Sequence, residues 1–545
     1  MSASSKKKLR KEKEAVQMTE KQLAAQKEAK KLNLYTGIFV AVVALFLVIA
    51  IVVGVTQAIS NSGIREKNTI AATVGEHEIS NAELSYFYID TINNFYSQYG
   101  SYASLFGLDV TTALDQQISD ESTGETWADY FINSAVESAR SIYALNDAAN
   151  AAGYTMSEEE AATIDSNIAT MQMYAMLYGY EDVDTYLKAM YGKGASEKSY
   201  RSYMEMSVLA DSYYTAYGES LTYDDAALRA AEAENYNAYS SFTYNYYYLA
   251  TSKFLEGGTT DEEGNTTYSD EEKAASVAAA EEAANSLIGE EITTVEELDA
   301  AIAALSINAE TTAASTLCED YAYGSVSSTI QEWVTASNRS EGDKTVIAST
   351  STSTDEDGNE TTTTTGYYVV YFVGSNDNNY AMKNVRHILV AFEGGTTDDD
   401  GNTTYSDEEK AAAKTAAEEI LNEWKSGDAT EDSFAALANE KSDDGDGTTG
   451  GLYENIVPSS NYVENFLNWA LNATTPGETG IVETEYGYHV MYFVGDSELS
   501  YRDYQIDSEL RSAELSDWYN GLYEAMTVTA GNTNYMLKSI VLSSN

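Results

Sequence analysis

The chain has 545 residues, too many for one hydrophobic core, and a prior of about 150 residues per domain divides it into three or four units. Its formal net charge of -56 sets aside nucleic acid as a partner, since a polyanion would be repelled. A single cysteine, Cys318, excludes an internal disulfide framework and four-cysteine zinc sites.

The first 31 residues carry ten Lys or Arg against four Glu, a local balance of +6 in an otherwise acidic chain. An apolar run follows from Leu34 to Val55, uncharged throughout. Roughly 20 apolar residues at about 1.5 Å each span a bilayer, so a transmembrane helix over 34–58 is expected after a basic arm over 1–33. A cleaved signal peptide is the alternative; the long basic arm and the length of the apolar run favour an uncleaved anchor. The positive flank places the N-terminus in the cytoplasm and everything after the helix outside, as in a single-pass cell-membrane protein.

Residues 59–236 have a helical pattern, opened by two short strands at 70–74 and 77–79 that turn at Gly75-Glu76. Ser80 and Glu83 have the spacing of a capping box, with Leu84, Phe87, Tyr88 and Ile92 following at helical intervals. A second box, Ser157 to Glu160, follows the helix stop at Gly153. His77, one of only three histidines, reads as an exposed strand residue without chemistry.

Internal repetition organises the rest. The string at 256–275 returns at 393–412, an offset of 137, changed only to Asp399 and Asp400, and Gly366 to Gly374 answers Gly487 to Gly495. Two tandem units are therefore expected over 237–379 and 380–498. In each, a Gly-Asn-Thr-Thr-Tyr loop leads to a Ser-Asp-Glu-Glu box, at Ser269 and Ser406, that starts an alanine-rich helix. Asp398, Asp400 and Asn402 alternate as calcium ligands can, but no glycine at the sixth position and no closing glutamate complete such a loop. A solvated acidic turn is expected there, with no metal and no cofactor.

The other two histidines, His387 and His489, lie about a hundred residues apart in strand-like strings, 384–390 and 486–493, where a sheet can unite them. The chain closes, over 499–545, with a helical pattern at 501–526 marked by Tyr504, Leu510, Leu515, Trp518, Leu522 and Met526, then a strand-like run at 535–542.

Six pieces in this order carry a resemblance: Val385-Arg386-His387-Ile388-Leu389-Val390, Phe434-Ala435-Ala436-Leu437-Ala438, Ser442-Asp443-Asp444, Gly450-Gly451-Leu452, Pro476-Gly477-Glu478 and Thr484-Glu485-Tyr486-Gly487-Tyr488-His489. Together they resemble a parvulin-type peptidyl-prolyl isomerase domain, as in PrsA-type and SurA-type foldases, over about a fifth of the chain. The layout at 74–83, with the helix that follows, Gly153 and the Ser157 cap, is similar to the N-terminal chaperone domain of SurA-type proteins.

The resemblance implies an α+β chain: a single transmembrane helix, a helical SurA-like chaperone domain at 59–236, and two tandem parvulin-like domains with antiparallel sheets and surrounding helices. The 499–545 segment would pack back on the chaperone-like domain. The first repeat is degenerate, because Tyr368 stands where His489 stands and its opening strand has no histidine. In the second, the resemblance sets His387 and His489 face to face, puts Asp444 beside the substrate carbonyl, lines the proline pocket with Leu452, and adds Thr484 to the histidine network. The family's Gly-Gly-Asp-Leu-Gly is here Gly450-Gly451-Leu452-Tyr453, and its Met-Val-Pro-Glu-Phe is replaced at 461–466. Val463 and Phe466 are therefore rival pocket walls, with Trp469 behind them. Whether the histidines act in chemistry or fix the sheet core stays open, and for Asp444 a solvated turn is the alternative.

The function implied is a membrane-anchored extracytoplasmic isomerase and chaperone for exported proteins, acting on their Xaa-Pro segments; the alternative is a non-catalytic peptide-binding scaffold. Carboxylates in the first loop would repel a phosphorylated substrate.

Overall fold

The computed structural model describes residues 63–542 apart from 263, 309–311, 355–357, 399–400 and 446. The expected basic arm and transmembrane segment lie outside the described residues, and among those described no helix is long and apolar enough to cross a membrane. The described residues form a mixed helix-and-sheet protein that divides into two units, one built from 63–222 with 509–542, the other from 223–508.

The first unit opens with α1 (Ile64–Asn68) and an antiparallel hairpin of β1 (Ile70–Val74) and β2 (His77–Ser80). Then come α2 (Asn81–Tyr99), a small hairpin of β3 (Ile118–Asp120) and β4 (Glu125–Thr126), α3 (Trp127–Ala152), α4 (Glu158–Leu177), α5 (Val183–Tyr191) and α6 (Glu197–Ser220). Leu84, Phe87, Tyr88 and Ile92 of α2 are buried with Phe131 and Ala135 of α3, as their spacing requires. Gly153, at φ 69, ends α3, and the Ser157 box closes in both directions. The Ser80 box is only half formed. Its hydroxyl accepts from the Glu83 amide, but the Glu83 carboxylate takes the Tyr143 hydroxyl instead of the cap amide. His77 is not a bare strand residue either: its Nε2 lies 3.0 Å from Asp147 and its ring stacks on Tyr143 at 4.5 Å.

The second unit begins with α7 (Asp225–Glu234) and β5 (Ser241–Ala250). A hairpin of β6 (Thr259–Thr260) and β7 (Thr266–Thr267), α8 (Asp270–Ser286), α9 (Val295–Ala304), β8 (Thr316–Ala322) and α10 (Ser328–Val334) lead to β9 (Lys344–Thr354) and β10 (Glu360–Asn376). The same succession then recurs. It runs β11 (Ala381–Ala391), the hairpin β12 (Thr396–Thr397) and β13 (Thr403–Thr404), α11 (Asp407–Ser426), α12 (Glu431–Lys441), β14 (Leu452–Ile456), α13 (Glu464–Asn472), β15 (Thr479–Glu483) and β16 (Gly487–Ser500).

The two sheets have one topology, β8-β5-β10-β9 and β14-β11-β16-β15, antiparallel throughout. The repeated string thus folds twice into the same hairpin and the same capped helix, with both Ser-Glu boxes complete. The joints of this unit converge on Arg502, only 2 % exposed. Its guanidinium donates to Glu232, to Ser240 and to the carbonyls of Asp377 and Tyr236.

Arg502 lies near the start of α14 (Tyr501–Ala525), after which β17 (Val528–Ala530) pairs with β1, Ala530 opposite Ala72. The strand expected at 535–542 is absent. β17 is the strand that joins β1, continued by the amides of Gly531 and Asn532 on the carbonyls of Ala71 and Ile70, while 535–542 runs irregularly and buries Met536, Ile540 and Leu542 in the core.

Candidate active site

β11 and β16 are neighbours at the centre of their sheet, in a register that sets Leu389 opposite His489 and His387 opposite Met491. Alternation along each strand then puts His387 and His489 on one face as diagonal neighbours. That face is shared with Val385, Met491 and Phe493 and covered by Phe466 and Ala470 of α13. The other face, with Ile388 and Val490, is buried against Trp424 of α11 and Phe434 of α12.

The imidazoles meet Nδ1 to Nδ1 at 2.9 Å. His489 Nε2 lies 2.9 Å from the Thr484 hydroxyl, and His387 Nε2 lies 3.0 Å from Asp444 Oδ2. An ionised carboxylate at the end fixes the direction of the whole chain, because it can only accept. His387 must then carry its proton on Nε2 and accept at Nδ1, so His489 donates from Nδ1 and accepts at Nε2 from Thr484. The Thr484 hydroxyl also lies 3.4 Å from the Gly487 carbonyl, a longer contact than the 2.9 Å to the ring, and its oxygen accepts from the Tyr486 amide at 3.2 Å.

Burial holds the His489 ring down at about 3, with the neighbouring His387 adding to the effect and Asp444 opposing it. His387 and His489 are only 1 % and 5 % exposed, whereas the Asp444 side chain is 28 % exposed. Asp444 is therefore where the network reaches solvent. The turn that carries it is pinned to the end of β11: the Ser442 hydroxyl accepts from the Leu389 and Asp444 amides, and the Asp443 amide donates to the Leu389 carbonyl. Gly451 makes the adjoining strand fit, since a Cβ there would lie 2.1 Å from the His387 carbonyl oxygen.

Of the residues expected at the site, His387, His489, Asp444, Thr484 and Phe466 come together. The Phe466 ring stands edge-on to both imidazoles, at 5.3 and 5.5 Å. Val463 precedes α13 and is half-buried against the same cluster, as is Trp469. Leu452 is the exception. It pairs with Arg386 and so shares the face away from the histidines, which corrects its expected place in the pocket wall. Tyr453, one residue on, pairs with Val385 and faces the site; its ring lies 4.6 Å from His387 and perpendicular to it. Sequence reasoning missed this residue, although the shortened Gly-Gly-Leu-Tyr string was its signal.

In the first repeat Tyr246 pairs with Val370, and Tyr368 with Tyr248, the places held in the second by His387 and His489. Their rings are 5.8 Å apart and tilted, with no imidazole between them. Among the described residues no group of three His, Cys, Asp or Glu is arranged to hold a metal ion.

Residues 367–495 match the family model of the PPIC-type PPIase domain. A search of curated proteins finds no match. Among solved structures the chain is similar to PrsA, a peptidylprolyl isomerase from Bacillus anthracis, at 17 % identity and a TM-score of 0.17, covering 27 % of this chain and 59 % of that one. It is also similar to PrsA from Bacillus subtilis, at 15 % identity and a TM-score of 0.24 over 74 % and 85 % of the two chains. A third is from work on PEB4 and Cj1289, SurA-like chaperones of Campylobacter jejuni, at 24 % identity and a TM-score of 0.16 over 27 % and 53 %.

Proposed function

We propose that the PPIC-type domain at residues 367–495 makes this chain a peptidyl-prolyl cis-trans isomerase, held at the cell membrane and acting outside it on unfolded exported proteins. The observation that carries the catalytic part is the continuous path from Thr484 through His489 and His387 to a solvent-facing carboxylate. An X-Pro peptide crosses a barrier of about 18–20 kcal/mol unaided, and turning it needs no covalent step. In the planar amide the carbonyl oxygen carries more negative charge than in the twisted state. A carboxylate beside that oxygen therefore disfavours the planar form more than the twisted one, and a thousandfold gain asks for about 4 kcal/mol of such difference.

In this reading Asp444 meets the substrate, His387, His489 and Thr484 position it, and Phe466 and Val463 supply apolar wall. The first repeat is a parvulin-like module without isomerase chemistry, holding polypeptide rather than turning it; its tyrosines in place of both histidines support this. The helical unit, rich in tyrosine and methionine, serves as the chaperone. Anchoring rests on the basic arm and on the apolar run from Leu34 to Val55.

Burial of both imidazoles favours a second reading, in which the pair only fixes the sheet and the chain is a peptide-binding scaffold. A protease-coupled isomerisation assay with the full chain and an Xaa-Pro peptide separates the two. Acceleration over the uncatalysed rate is expected; its absence leaves the scaffold. Protease added to intact cells is expected to remove the chain after about Ser60 and spare the basic arm, and protection of the large part would reverse the topology.

A further inference from the structure

We infer that Tyr453 is a positioning residue for Asp444, holding the carboxylate in place and in its ionised form through its hydroxyl. The inference rests on the isomerase reading above. The Tyr453 hydroxyl donates to Asp444 Oδ2 at 2.5 Å, and the same oxygen receives His387 Nε2 at 3.0 Å. The two donors stand on different strands, β14 and β11, so the oxygen is fixed from two directions. One donor leaves a carboxylate free to swing about its Cβ–Cγ bond; two from independent supports do not.

The tyrosine ring is itself immobilised. It is 3 % exposed and packs between His387 at 4.6 Å, Phe466 at 5.5 Å and Tyr462 at 5.8 Å. A hydroxyl fixed this way lends directional hydrogen bonding at little entropic cost. Because its proton goes to an acceptor that is best when ionised, Tyr453 resists protonation of Asp444 and so sustains the direction of the histidine chain.

The first repeat supplies an independent comparison. Cys318 pairs with Tyr244 as Tyr453 pairs with Val385, and Tyr244 and Val385 in turn pair on their other side with Phe372 and Phe493. The tyrosine is thus present in the repeat that has the imidazole pair and replaced in the repeat that lacks it. Other charged groups around Asp444 are already engaged. Asp443 accepts from the Ala391 amide, and Arg386, on the opposite face, is tied to Glu431 and to the carbonyls of Thr449 and Gly450.

The test uses the full chain with Tyr453→Phe, which keeps the ring, and Tyr453→Leu, which keeps neither ring nor hydroxyl. For Tyr453→Phe, kcat/KM is expected to fall about tenfold, carried mainly by kcat, and the acid limb of the pH–rate profile to move to higher pH. The Asp444 carboxyl carbon, followed by ¹³C NMR, is expected to titrate at higher pH than in the wild type, while the near-ultraviolet circular dichroism stays native. Should Tyr453→Leu lose its native spectrum, the Phe variant alone decides. An unmoved carboxyl titration together with an unmoved acid limb in Tyr453→Phe would overturn the inference, whatever the rate. If the wild type has no isomerase activity the isomerase reading fails, and the carboxyl titration still decides the role of Tyr453.

Discussion

Acidification should weaken this fold through His489. The ring, ordinarily protonated near 6.5, is held by burial at about 3. Because the folded value lies below the unfolded one, the unfolded chain takes up a proton that the folded chain refuses. The contribution of His489 to stability is therefore complete above about pH 6.5 and is lost progressively as the pH falls toward 3. Each unit in that window is worth about 1.4 kcal/mol, so roughly 2 kcal/mol is lost by pH 5. Carboxylates titrate over the same range, and in a chain of net charge -56 their protonation relieves repulsion and acts the other way. The comparison must accordingly be with His489→Leu, which shares the carboxylates and lacks the titrating ring. Urea unfolding at pH 7 and pH 5 is expected to show the wild type losing about 2 kcal/mol more than the variant. Parallel losses, or a His489 ring resonance that titrates near 6.5, would refute the reasoning.

Arg502→Met leaves Glu232 and two carbonyls without their buried guanidinium, and is expected to lower the unfolding free energy by about 3–5 kcal/mol in urea titrations; a change within error would show that the joints hold without it. Gly451→Ala forces a Cβ to within 2.1 Å of the His387 carbonyl at φ +63, so a loss of about 3 kcal/mol or more is expected, together with loss of isomerase activity. A wild-type melting curve for that variant would show that β14 can move aside.

Features set by short-range chemistry were legible in the sequence. The Ser157, Ser269 and Ser406 boxes each need only a hydroxyl and a carboxylate three residues apart, and each forms. The Ser80 box forms only its Ser80–Glu83 amide half, because Tyr143, distant in sequence, takes the Glu83 carboxylate. The histidine strands were legible because β-branched and aromatic runs bracket them, and strand alternation then brings the rings onto one face. Leu452 was misplaced because a one-residue shift in a strand exchanges its faces, and the register is decided by the close approach of Gly451 to β11, not by the local string. The strand expected at 535–542 has suitable residues, but β17 is the segment that pairs with β1, and 535–542 instead places Met536, Ile540 and Leu542 in the helical core. No local signal in the sequence marks Arg502 as buried, since its partners lie on segments far apart in the chain.

The claim that one carboxylate-ended network in the second repeat carries the isomerisation is tested most directly by comparing kcat/KM for an Xaa-Pro peptide between the full wild-type chain and Asp444→Ala. A fall of tenfold or more, about 1.4 kcal/mol or above in the barrier, is expected with the fold retained. Wild-type turnover in Asp444→Ala would contradict it.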